Sequence, residues 1–139
     1  MSNSSRAAAI ELAVAYAERS PRVAELVAAL PPDQAERVAS ELKTLSAFLT
    51  LRFAEAGLKI TPEQAREAIA HRVAGLLEPE YELAVLTALD EAGPDDPRGA
   101  ADTTTVLHLL GAYTAALTAQ LVPSADLVPT LRALDDLPE

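Results

Sequence analysis

The chain has 139 residues, 50% of them hydrophobic and 23% charged, with no cysteine. That is enough for one domain with a core of its own, and it excludes disorder, a disulfide framework, a thiolate metal site and a cysteine nucleophile. The formal net charge of −10 sits entirely in the second half: residues 1–72 hold nine Lys/Arg and nine Asp/Glu, residues 73–139 hold two and twelve. Phosphate-backbone binding needs clustered cations, so nucleic acid is not an expected partner.

The N-terminal stretch lacks the basic flank, apolar run and cleavage site of a signal peptide, so a soluble, cytoplasmic protein is expected. Residues 1–3 are expected to fray. Ser4 or Ser5 then caps a helix running to about Arg19, with a stripe of Ile10, Ala13, Val14 and Ala17 widened by Leu12 and Tyr16. Ser20 followed by Pro21 restarts the chain as N-cap and first helical residue. Val23, Leu26, Val27 and Leu30 make a short helix that ends at Pro31 and Pro32.

Pro32 opens a longer helix, with Asp33 favourably placed in its first turn. Ala35, Val38, Leu42, Leu45, Leu49 and Ala56 keep a heptad spacing, the pattern of a seam between helices. Phe48, Leu51 and Phe53 add apolar surface, so residues 45–53 are expected to lie deeper than residues 35–43. Arg52 falls on the seam. It is expected to reach past the helix end or pair with Glu55; the alternative is a buried cation awaiting an anion. Gly57 supplies the C-terminal stop, with Leu58 folding back.

Thr61, Pro62, Glu63 and Gln64 spell a capping box. The helix they start is expected to reach about Leu77 and to bury Ala65, Ile69, Val73 and Leu76. His71, four residues after Glu67, lies on the opposite face as a surface pair. Beyond Pro79, Tyr81, Val85 and Leu89 share one face of the next helix, which Gly93 and Pro94 terminate. Residues 93–101, GPDDPRGAA, read as an irregular surface loop. The adjacent Asp95 and Asp96 do not supply the alternate carboxylates of a calcium loop.

Asp102 caps a helix over about residues 103–122, and no Asp, Glu, Lys or Arg occurs between Asp102 and Asp126. A helix apolar nearly all the way round is a buried one. A membrane span is not expected, because His108, Gln120 and several threonines dilute the stretch and its flanks are acidic. Val106, Leu110, Tyr113, Leu117 and Leu121 offer bulk. His108 instead shares a stripe with Thr104, Gly111, Ala112, Ala115 and Ala119, where small side chains admit a close neighbour. A histidine buried there needs a hydrogen bond and is held neutral by desolvation. It is read as a core or interface contact; the alternatives are a ligand pocket shared with Tyr113 or Tyr81, and a dimer seam. Leu127, Leu131, Leu134 and Leu137 suggest a last short helix, begun or interrupted at Pro129, lying over the core like a lid.

No catalytic or cofactor motif emerges. Neither histidine has the Glu three residues before it that a di-iron bundle uses, and a zinc cluster, a nucleophile elbow and a glycine-rich phosphate loop are all missing. The expected fold is all-α: a single-domain bundle of five to six helices around the buried helix at about 103–122. The expected function is non-catalytic, a small helical interaction or regulatory protein that forms a homodimer through its wide apolar helix faces. The alternative is a helical protein binding an apolar small molecule, with His108, Tyr113, Tyr81 and Arg52 as its polar contacts. A third reading is an acidic inhibitor, antitoxin-like, that covers a basic partner surface with residues 78–82 and 90–96. No cofactor, metal, membrane or nucleic acid enters any of these readings.

Overall fold

The computed structural model describes residues 3–92 and 102–136. They form α1 (Asn3–Ala17), α2 (Arg22–Ala28), α3 (Pro32–Glu55), α4 (Pro62–Val73), α5 (Pro79–Ala92), α6 (Thr103–Leu121), α7 (Ser124–Ala133) and a closing 3₁₀ turn, Leu134–Asp136. The expected fraying at residues 1 and 2, the stretch 93–101 and Leu137 lie outside the described residues.

α6 is the axis of a single-domain, all-α bundle, and α1 to α5 and α7 all pack against it. Its side chains are buried without interruption from Thr105 to Thr118. The start is fixed by Asp102, whose carboxylate accepts from the Thr105 N–H at 2.8 Å. A helix surrounded on every side can carry no charge, which is why residues 103–125 contain none.

α1 is the second deeply buried helix, with Ala7 and Glu11 left exposed. Ala9, Ile10 and Leu12 through Tyr16 are 0–6% exposed, and the helix meets α2, α3, α4, α6 and α7. Asn3 and both serines are already helical, so neither Ser4 nor Ser5 is the cap, and Ser5 lies buried. Arg6 is buried too, its Nε 3.0 Å from the Glu41 carboxylate on α3. The expected merging of the seven segments into five or six helices does not occur. Arg19 takes a left-handed φ of 53° and separates α1 from α2. Ser20 Oγ accepts from the Arg22 N–H at 3.2 Å, the capping bond its place before Pro21 implies.

The seam of α3 is buried at Ala35, Val38, Leu42, Leu45, Leu49 and Phe53. Both halves are equally deep, contrary to expectation, because Leu51 turns to solvent at 58% exposure. The seam steps from Leu49 to Phe53 rather than to Arg52, since a straight α-helix drifts away from a strict seven-residue repeat. Gly57, at φ 76°, ends α3. The N–H of Leu58 donates to Phe53 O at 2.9 Å and that of Gly57 to Ala54 O at 3.0 Å, a Schellman closure.

The capping box of α4 is complete: Gln64 N–H donates to Thr61 Oγ1 at 3.1 Å, and Thr61 N–H to Gln64 Oε1 at 2.9 Å. α4 stops at Val73, short of the expected Leu77, because Gly75 adopts φ 77°. α1 and α4 cap each other's C-termini. The Arg19 guanidinium donates to the carbonyls of His71 and Ala74 at 2.8 and 2.6 Å, and Arg72 donates to that of Ala17 at 3.0 Å. Cations at carbonyl-bearing helix ends complement the macrodipole. α7 runs through Pro129 without a break, and Leu127, Leu131 and Leu134 close over the core.

Candidate functional site

His108 projects from α6 toward α1. Its Nδ1 lies 2.6 Å from Tyr16 Oη, with the two rings edge to face at 84°. Burial pushes the imidazole pKa down to about 4, an effect the Asp102 carboxylate only partly offsets, and burial raises that of the Tyr16 phenol. Both groups are therefore neutral near pH 7. One hydrogen bond joins them, its direction set by the imidazole tautomer. One turn along α6, Gly111 makes the contact close: a Cβ there would stand 3.1 Å from Leu12 Cγ and 3.2 Å from the Tyr16 ring. Gly111 is thus the seat of α1, and His108 is a core contact between two helices of one chain.

The other residues singled out from the sequence do not join His108. Tyr113 is buried at 3% exposure on α6, five residues on and so about 140° round the helix. Tyr81 was expected on the buried face of α5, but it stands at the helix start with 44% exposure; Val85, Ala88 and Leu89 make that face. Arg52 lies at the far end of the bundle. It borders the same groove as Leu121, 13 residues beyond His108 and so about 20 Å along the helix axis. His108 could not be matched to its partner from sequence, because Tyr16 is 92 residues away.

The concave feature with an apolar lining is that groove, of about 530 Å³, at the junction of α3, α6 and α7. α3 supplies Phe48, Leu49, Arg52, Glu55 and Ala56. Leu121 and Val122 come from the end of α6, and Thr130, Ala133 and Leu134 from the end of α7. On its rim the Arg52 guanidinium pairs with the Glu55 carboxylate at 3.1 Å and lies 5.9 Å from the centre of the Phe48 ring. Arg52 is 59% exposed, so it follows the surface-pair reading and not that of a buried cation. The groove exists because α6 stops where it does. Val122 turns extended, and Pro123 has no N–H with which to close the helix end. α7 therefore leaves at an angle instead of extending the wall.

A second depression, of about 350 Å³ between α4 and α6, has a mixed lining, with Glu67, His71 and Arg72 beside Ala68, Ala116 and Ala119. Among the described residues no group of three or more His, Asp or Glu is arranged to hold a metal ion. Nor is any helix among them long and apolar enough to cross a membrane. Asp90, within the acidic segment 90–96, pairs with Arg66 at 2.8 Å.

The described residues form an all-helical bundle with a buried Tyr16–His108 contact in its core and an apolar groove on its surface. Set against protein-family models, curated proteins and solved structures, the chain matches none.

Proposed function

We propose that this protein is a non-catalytic binding protein that takes an apolar small molecule in the groove between α3, α6 and α7. The observation that carries the reading is the groove itself. It is a concavity of about 530 Å³ with aliphatic and aromatic walls and a short polar rim of Arg52, Glu55 and Thr130. Binding sites for small molecules combine apolar walls with a few orienting polar groups. Of the four polar contacts expected from the sequence, Arg52 serves here; His108 is committed to Tyr16. The test is a thermal-shift screen of apolar compounds on the protein and on Ala133→Phe. Ala133 is exposed on the groove wall, so the larger ring fills the space without entering the core. Compounds that raise the melting temperature of the parent and not of the variant support the reading. A screen in which no compound separates the two refutes it.

The reading as an interaction or regulatory protein, with a homodimer as its assembly, is favoured by a different observation. α5 presents Leu83 and Tyr81 to solvent at 66% and 44% exposure. The wide apolar face of α1, which first suggested a dimer, is taken up inside the chain. A homodimer would therefore form through α5, and sedimentation of Leu83→Glu against the parent at micromolar concentration tests it.

A further inference from the structure

We infer that the exposed face of α5 takes a basic, amphipathic helix of another protein, which covers Leu83 with an apolar side chain and brings Lys or Arg to Glu80 and Asp102. This rests on α5 being a contact face, and it names the partner that the face prefers to a second copy.

Beside Leu83 runs a depression of about 390 Å³ between α5 and the first turn of α6. Glu80, Leu83 and Thr87 line it from one face of α5, at the three- and four-residue spacing of neighbours on a helix surface. Ala84 and Ala88 line it too, and their short side chains leave the space open. Leu83 is 66% exposed, the highest value among the exposed large apolar side chains. Covering it removes apolar surface from water, which is what drives an amphipathic helix into a groove.

The charges in the depression have one sign. Glu80 stands on its α5 side and Asp102 on its α6 side, and neither α5 nor α6 contains Lys or Arg. Asp102 accepts the Thr105 N–H as the cap of α6, and Glu80 has no ion pair among the described residues. Of the acidic stretches 78–82 and 90–96, the first reaches the depression through Glu80, while in the second Asp90 is already held by Arg66 of α4. A second copy meeting this face about a two-fold axis would bring the same two carboxylates and no cation. A basic chain supplies what is missing. The twelve acidic against two basic residues of 73–139 steer the same kind of partner toward this half of the molecule.

The test uses a fluorescein-labelled peptide of about 15 residues with Leu on one helical face and Lys on the other. Its binding is read by fluorescence anisotropy at about 50 and about 300 mM sodium chloride, with a Leu and Glu peptide of the same pattern as control. The parent is compared with Leu83→Ser, with the pair Glu80→Gln and Asp102→Asn, and with the pair Asp33→Asn and Glu36→Gln. Asn caps a helix as well as Asp, so the groove pair keeps the start of α6. The last pair removes two exposed carboxylates from α3 and serves as the control for bulk charge. The expected result is that only the Lys peptide binds the parent. Leu83→Ser weakens it about tenfold at both salt concentrations. The groove pair weakens it about threefold to tenfold at low salt and little at high salt. The α3 pair binds as the parent does. Loss in the α3 pair equal to that in the groove pair, or unchanged binding by Leu83→Ser, reduces the effect to bulk charge and overturns the inference. Sedimentation of the same samples separates the two readings. A parent dimer that Leu83→Ser splits and the peptide leaves intact keeps α5 as a contact face occupied by a second copy, and the inference alone falls. A parent that binds no peptide and stays monomeric sinks both.

Discussion

Replacing Tyr16 with Phe removes one oxygen from the centre of the bundle and leaves its shape intact. The phenol is 0% exposed and the imidazole it serves 3%. Water cannot take over the lost bond, and Nδ1 is left as a buried polar atom without its Tyr16 partner. Such a vacancy costs about 1–3 kcal/mol, well beyond the net worth of an ordinary hydrogen bond. His108→Leu strands the phenol instead and should cost a similar amount. Removing both groups leaves an apolar contact, so the double variant should be more stable than the sum of the single losses predicts, by at least about 1 kcal/mol. Urea unfolding followed by circular dichroism at pH 7.5 measures all four proteins; the midpoint should move while the slope stays constant. Strictly additive losses, or a Tyr16→Phe midpoint equal to that of the parent, would refute the assignment of Tyr16 as the partner of His108.

The same pair predicts a pH dependence. Because burial lowers the His108 pKa from 6.5 to about 4, the unfolded chain takes up the proton first as the solution is acidified. Stability is therefore full above pH 6.5 and falls as pH drops toward 4. The loss is about 1.4 kcal/mol per unit, or roughly 3 kcal/mol across the window, and His108→Leu should flatten the unfolding midpoint between pH 6.5 and 5. Gly111→Leu should destabilise by about 3 kcal/mol or more, since its side chain must displace Leu12 and Tyr16; in Gly111→Ala the gain in helix propensity offsets much of a smaller squeeze. Thr61→Ala should cost about 1 kcal/mol through loss of the α4 cap, seen as a lower urea midpoint. Thr114 Oγ1 is the one buried side-chain polar atom without a hydrogen-bond partner among the described residues. Thr114→Val should raise stability by about 1 kcal/mol, and a measured loss would show that the hydroxyl is bonded.

Features whose cause lies within a few residues were legible in the sequence. The charge-free stretch marked α6, the Thr61 and Gln64 spacing marked the start of α4, and Gly57 marked the end of α3. Even the close helix contact at Gly111 followed from the small residues one turn apart on the His108 face. Chemistry that depends on distant partners was not legible. Tyr16 reads as one more apolar position on α1, and only the packing of α1 onto α6 makes it the partner of His108. Arg19 and Arg72 carry no local signal of a partner, yet Arg19 caps the end of α4 and Arg72 the end of α1. The burial of Arg6 depends on Glu41 arriving from α3. The groove was invisible for the same reason: its wall is the ends of three helices far apart in the chain, and only Arg52 among its residues had been marked. Gly75 is the exception, a local signal overlooked because apolar residues continue past it to Leu77.

The helix at the centre of the bundle is made after five of the six helices that pack against it. α1 to α5 leave the ribosome with their apolar faces facing a space that α6 has yet to fill. At about 5–20 residues per second, on the order of 5–20 s separate the end of α1 from the end of the Thr103–Leu121 segment, and about 1.5–6 s separate the end of α5 from it. Local helix formation is far faster than that, so the early helices wait as formed but loosely associated rods. Until α6 arrives, the apolar faces of the earlier helices lack the partner that all of them share in the native bundle.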